Sequence, residues 1–365
     1  MKNEVTVIIP THERHRVLER AIDYYSQINS SVLIVDSSQE FLDKVLPENI
    51  QYLHLPNLFF GDKIYTALNE VSTPYSCLCA DDDFLSESGL YFGIRYLEEN
   101  KEYVSIQGNY VHFSYSENLN DYHPVYAETI GPRKVDANSP VDRLMESIGM
   151  GQSFIYALHH TEVLLKCLRV TLNMQAVTLV ETGISIGSPL YGKHIILPVF
   201  WMARDKNRYS EYISEKGNNY SKNDKSVVKN ISNLNMVIGD FHSYLETDQG
   251  VQFRKNFINI TIDIFHDSSV CSEFFDEYFK NKSLNKVKFR KKVSESFIKT
   301  TIKKNTPNFI LNFFYEKINT KVKIAEKQRL QFKKSSGYPW SSDEAQEDWN
   351  KMKKAILKHG DLVKN

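Results

Sequence analysis

The chain has 365 residues, 41% apolar and 25% charged, and its 45 Lys and Arg are matched by 45 Asp and Glu. That composition suits a soluble globular protein with one α/β domain and a second unit, and no run of eighteen apolar residues offers a transmembrane helix. Met1-Lys2-Asn3-Glu4 leads straight into a strand and is no signal peptide, while Cys77, Cys79, Cys167 and Cys271 lack zinc spacing, so a reduced cytoplasm is expected.

Val5 to Pro10 is almost wholly apolar, as a strand buried on both faces should be. A polar turn, Thr11-His12-Glu13-Arg14, precedes the helical spacing of Val17, Leu18, Ala21, Ile22 and Tyr25. Val32 to Val35 predicts a second strand ending in Asp36-Ser37-Ser38, and Ile50 to Leu55 a third. A helix then starts at Gly61-Asp62 and stops near Thr73-Pro74, and Tyr75 to Ala80 predicts a fourth strand running into Asp81-Asp82-Asp83. Strands alternating with helices in this way predict a mostly parallel sheet with helices on both faces. Ligands of such sheets bind outside the carboxyl ends of the strands, where Thr11 to Arg14, Asp36 and the three aspartates all fall.

Further along, the pattern is less regular. Val104 to Gly108 and Ile195 to Trp201 predict strands, the latter ending in Arg204-Asp205, and Pro140 to Ile148 a helix. Ser116 to Asn138 is mostly polar and predicts a long loop over the site. Lys216 to Lys225 is the candidate linker, dividing the chain into 1–215, 216–225 and a helical, lysine-rich 226–365. The last helix is announced by Ser341-x-x-Glu344 as a capping box, with Ala345, Trp349, Met352 and Ile356 on one stripe.

Three adjacent carboxylates at a strand end repel one another unless something positive lies between them. A solvated acidic turn capping the helix near Ser86 would explain them. So would a divalent hard cation that takes oxygen ligands and bridges to phosphate. The order strand–Pro10–Thr11, then Val35-Asp36-Ser37, then Thr73-Pro74-Tyr75 leading into Ala80-Asp81-Asp82-Asp83-Phe84 resembles the nucleotide-sugar-binding half of family 2 glycosyltransferases of GT-A fold. The resemblance covers about residues 4 to 205 and is strongest to a bacterial surface-polysaccharide subgroup with the Thr-Pro-Tyr…Ala-Asp-Asp-Asp-Phe stretch. Val35-Asp-Ser-Ser38 departs from the commoner Val-Asp-Asp-Gly-Ser and leaves the nucleobase open.

The resemblance implies a GT-A domain followed by a mainly helical region, acting as a metal-dependent inverting glycosyltransferase. Its donor would be a nucleotide sugar and its acceptor a glycan or lipid-linked sugar. Asp83 and Asp81 would ligate Mn²⁺ or Mg²⁺, with Asp81 or Asp82 reaching the ribose. Thr11, Arg14 and Asp36 would meet base, ribose or phosphate, and Lys63 and Arg204 the donor phosphates. A Lys in a helix's first turn is mildly unfavourable for the helix dipole, a weak sign of a ligand. Inversion needs one base within reach of the acceptor hydroxyl, and Glu181, roughly a hundred positions after the triplet, fits that part of the family. Asp142 is the reserve base, though a helix cap after Pro140 explains it as well. For His159-His160, adjacent side chains point apart, so one satisfied and one exposed histidine is expected rather than a metal pair.

From Lys282 to Lys334 sixteen Lys and Arg face three Glu, leaving thirteen net negatives for the rest of the chain. A solvated helical surface and an anionic membrane, where each basic residue is worth about 1 kcal/mol, both fit. Nucleic acid is not expected, because no binding motif accompanies the interleaved aromatics. A cytoplasmic enzyme, peripheral at the inner face of the plasma membrane, would meet a lipid-linked acceptor there. The rivals are a nucleotidyltransferase, disfavoured because Pro10 to Arg14 contains no glycine, and a non-catalytic GT-A-like module.

Overall fold

The computed structural model describes residues 3–113, 122–124, 133–150, 153–174, 177–205, 248–265 and 342–360. The N-terminal half runs β1 (Val5–Thr11), α1 (His15–Tyr25), β2 (Ser31–Asp36), β3 (Ile50–His54), α2 (Phe60–Asn69), β4 (Tyr75–Leu78), β5 (Phe84–Leu85) and α3 (Glu87–Glu99). There follow β6 (Tyr103–Phe113), β7 (Tyr122–Pro124), β8 (Arg133–Val135), α4 (Pro140–Met150), β9 (Leu158–His160), α5 (Thr161–Arg169), α6 (Val177–Tyr191) and β10 (Lys193–Asp205). Two further helices are described, α7 (Asp248–Phe265) and α8 (Asp343–Lys358).

The sheet order is β3-β2-β1-β4-β9-β6-β10-β5. β3, β2, β1 and β4 are parallel, as predicted, and so are β6 and β10. Short β9 lies antiparallel between the two sets, and β5 returns antiparallel on β10. The expected loop at 116–138 contains β7 and β8, which pair with β6 and β10.

Alternation along the apolar strands feeds two cores, because successive side chains leave a strand on opposite faces. Val5, Val7, Ile9, Val32 and Ile34 join Leu18, Ala21 and Ile22 of α1 and Leu90, Ile94 and Leu97 of α3. Ile8, Leu33, Val35 and Leu78 join Ile64, Ala67 and Leu68 of α2 and Leu164, Cys167 and Leu168 of α5. This doubly covered, largely parallel sheet is a GT-A-like fold. At Gly89, in the first turn of α3, a Cβ would collide with the Phe200 carbonyl, so only glycine allows that approach to β10.

The final helix completes the first of these cores. Trp349, Met352, Ala355 and Ile356 of α8 pack into the α1–α3 cluster. Ser342, one residue later than the predicted cap, accepts from the Ala345 N–H. Asp348, 3% exposed, takes hydrogen bonds from Ser86 Oγ, Ser88 N and Ser88 Oγ, and so caps α3 just after the acidic triplet. The linker 216–225 and the basic 282–334 lie outside the described residues. No helix among the described residues is long and apolar enough to cross a membrane.

Candidate active site

The parallel strands end together at one edge, and the polar residues predicted for the site gather there. The turn after β1 places Glu13 at φ 54°, a left-handed conformation that is costly for a side chain with a Cβ. It is held by the Ser38 Oγ on the Glu13 N–H at 2.7 Å and by Glu13 Oε1 on the Gln39 N–H at 2.7 Å. The turn thereby delivers Thr11 and Arg14 to the triplet. Thr11 Oγ1 donates to Asp81 Oδ2 at 2.7 Å, and Arg14 forks over Asp81 Oδ1 at 3.0 Å and Asp82 Oδ2 at 2.7 Å.

The third aspartate faces the other way. Asp83 Oδ2 accepts from Arg204 Nε at 3.0 Å, and Asp83 Oδ1 from the Asp205 N–H at 3.0 Å. The Arg204 guanidinium lies 4.9 Å from the Tyr156 ring centre. Burial raises Asp83 to about 7 even against the pull of Arg204. Burial also raises Asp81, opposed by Arg14, whereas at Asp82 burial is outweighed by Arg14, Arg20 and Arg204 together, which hold the carboxyl below its ordinary value. Behind the triplet, fully buried Arg20 donates to the Asp82 carbonyl at 2.9 Å and to Asp205 Oδ2 at 2.8 Å.

A hard cation needs several oxygens converging on one point. Carboxylates at a strand end are chemically suited to that, but here they diverge: Arg14 lies across two and Arg204 on the third. Among the described residues no three His, Cys, Asp or Glu side chains are placed to hold a metal ion. The expected metal ligands Asp83 and Asp81 face guanidinium groups in this arrangement.

Asp36 is completely buried and accepts from Ser38 N at 2.7 Å, Ser38 Oγ at 2.5 Å, Tyr52 OH at 2.7 Å and His15 Nε2 at 2.7 Å. Those bonds outweigh burial and keep it ionised. Its carboxylate oxygens are thus taken up by Ser38, Tyr52 and His15. Lys63 is 2% exposed and spans Thr11 O at 2.5 Å and Ser37 Oγ at 3.0 Å, clasping the ends of β1 and β2 from behind. Burial lowers it to about 8. Expected to meet donor phosphates, its ammonium here bonds the Thr11 carbonyl and the Ser37 hydroxyl at the sheet edge.

Glu181 lies in the second turn of α6, half-buried, with burial raising its carboxyl and the Arg204 charge opposing that rise. The fold thus brings it within electrostatic reach of the cation that holds Asp83. Asp142 exchanges hydrogen bonds with Ser139 as an N-terminal cap. His159 is buried against the Phe154 carbonyl and His160 is partly exposed, as expected for side chains pointing apart. A cleft of about 450 Å³ lined by Arg169, Asn173, Asp248 and Gln252 lies between the α5 end and α7, and none of the triplet lines it.

Sequence reasoning missed Arg20, Asp205, His15, Tyr52 and Tyr156. Arg20 carried a readable sign, a charge on the stripe of Val17, Ala21 and Tyr24 that α1 buries. The others come together only through sheet order.

An α/β sheet with an acidic triplet at the carboxyl end of its fourth strand and cations gathered around it is a GT-A-like arrangement. The sequence profile of glycosyl transferase family 2 matches residues 6–150, from β1 through α4, and the protein is a glycosyltransferase. No curated protein matches the sequence. Among solved structures, residues 1–349 of S. aureus TarS are similar at 10% identity and a TM-score of 0.43, covering 72% of this chain and 73% of that one. The same fragment in complex with UDP-GlcNAc gives 11% identity and a TM-score of 0.45, covering 82% and 76%.

Proposed function

We propose that the protein transfers a sugar, with inversion, from a nucleotide-sugar donor to a glycan or lipid-linked acceptor, in bacterial surface polysaccharide synthesis. Residues 1–215, together with the docked α8, form the transferase domain in this reading. The observation that carries it is the convergence of Thr11, Arg14, Asp81, Asp82, Asp83 and Arg204 on the strand ends, in the segment that matches the family profile. Cleaving the anomeric bond loads negative charge onto the leaving phosphates, and fixed cations aimed at that charge stabilise the transition state. Arg14 and Arg204 are those cations, the first now held by Asp81 and Asp82 and the second by Asp83, carboxylates that the incoming donor phosphates would replace. Asp36 sets His15 and Tyr52 for the nucleoside, while Lys63 holds the Thr11 carbonyl and the Ser37 hydroxyl in place.

Glu181 takes the acceptor proton. Burial raises its pKa against the pull of Arg204, which makes its carboxylate a stronger base than an exposed glutamate. Mn²⁺ or Mg²⁺ on Asp83 and Asp81, as the family resemblance implies, belongs to this reading only if Arg204 leaves Asp83. The chain would work in the cytoplasm, with 282–334 holding it at an anionic membrane surface.

A thermal-shift panel of UDP, GDP, CDP and CMP, each with EDTA or Mn²⁺, tests the reading. Stabilisation by one nucleotide supports a donor site. If that stabilisation persists in EDTA, the arginines suffice; if it needs Mn²⁺, the aspartates re-form as metal ligands. No shift with any nucleotide in either condition would refute the donor assignment.

A further inference from the structure

We propose that Arg20 and Asp205 are positioning residues, a buried ionic strut that sets the geometry of the acidic triplet and of Arg204 beside it. The proposal rests on the donor-site reading above. Both side chains are 0% exposed, and their Nη1–Oδ2 separation is 2.8 Å. Withdrawing two such charges from water is costly, and well-packed apolar residues of similar size would often be as stable or more so. Stability alone is therefore a poor reason for a guanidinium on the buried stripe of α1.

The pair's contacts supply the reason. One Arg20 nitrogen holds the carbonyl of Asp82, the middle residue of the triplet, at 2.9 Å, while the other holds Asp205. The backbone N–H of that same Asp205 holds Asp83 Oδ1, and its neighbour Arg204 holds Asp83 Oδ2. Phe84 and Phe113 lie under the guanidinium at 5.3 and 5.8 Å and fix its plane. One side chain from α1 thus couples the triplet's backbone to the end of β10, from which the cation facing Asp83 projects. No apolar residue could bond that carbonyl, and the single ammonium of a lysine lacks the fork that serves both acceptors.

The test pairs Arg20→Met with Asp205→Leu in the full chain, beside Arg20→Lys. Melting temperature, the thermal shift with UDP, GDP and CDP, and donor KM and kcat are measured. The expected result is a double variant that melts close to the wild type yet loses about tenfold or more in nucleotide affinity, since displacements near 1 Å at such sites cost up to about a hundredfold. Arg20→Lys should fall between the two. Nucleotide binding within twofold of wild type in the double variant would overturn the proposal. So would losses that merely follow the melting temperature across all variants. If the wild type itself binds none of the three nucleotides, the donor-site reading fails first, and that failure is visible without any variant.

Discussion

Acidification should destabilise this protein through His159, by an amount the structure sets. His159 lies fully buried where β4, β9 and β6 meet, with Nε2 against the Phe154 carbonyl at 2.9 Å and Nδ1 by Ser188 Oγ at 3.3 Å. His194 is buried beside it, bonded to Ser105 and stacked on Phe154 with ring centres 3.7 Å apart. Burial lowers His159 from its ordinary 6.5 to about 4. Between those values the unfolded chain binds a proton that the folded chain refuses, so stability rises with pH there. The contribution is complete above about pH 6.5 and is lost as pH falls towards 4. At about 1.36 kcal/mol per pH unit, the full loss is roughly 3 kcal/mol, of which roughly 2 is gone by pH 5. Asp83 works the other way, because a carboxyl raised to about 7 when folded favours the folded state on acidification. The total curve therefore mixes opposing slopes, and the comparison must be with His159→Gln. Urea denaturation of both proteins at pH 7.5 and pH 5 measures it. The variant should be less stable at pH 7.5 and should gain about 2 kcal/mol relative to wild type at pH 5. A stability difference that stays constant across that range would refute the reasoning.

Glu181→Gln should lower turnover by about a hundredfold to ten-thousandfold while nucleotide binding persists, read by initial rates beside thermal shift; unchanged turnover removes Glu181 as the base. Asp83→Asn removes a carboxyl that ionises near pH 7, so the difference in nucleotide affinity between wild type and variant should change most between pH 6 and pH 8, measured by titration calorimetry. Trp349→Ala cuts the last helix's largest buried side chain out of the first core and should cost about 3–5 kcal/mol in chemical denaturation. A loss below about 1 kcal/mol would mean that α8 is not part of the folding unit.

What the sequence disclosed was whatever repeats at short range. The strands β1, β2 and β4 and the stripe of α8 are local patterns, and each appears where its apolar period put it. Polar residues at strand ends were legible for the same reason, since sheet topology alone assigns the carboxyl edge to ligands. Pairing across long separations was not legible. Nothing local says that Arg204 meets Asp83 across 121 positions, or that Asp348 caps a helix 260 residues earlier. Lys63 is a further instance. A lysine in a helix's first turn beside a phosphate site invites a phosphate contact, yet the chain packs β2 close enough that the ammonium finds Thr11 and Ser37 first.

The triplet teaches the converse. Its carboxylate density implied a positive partner, which was right in sign, but charge alone cannot distinguish a metal ion from a guanidinium. The route of the chain is what brings the guanidinium groups there, because Arg14 comes from the turn after β1 and Arg204 from the end of β10, and both routes must close before either reaches an aspartate. The two partners also differ in what they allow. A guanidinium forms directional bonds to one or two oxygens and can be exchanged for the oxygens of a phosphate, whereas a hard cation requires the carboxylates to converge. Arginine pairing therefore leaves the site poised for anion binding before any donor arrives, so the first ligand to displace an aspartate from Arg14 or Arg204 should be a phosphate.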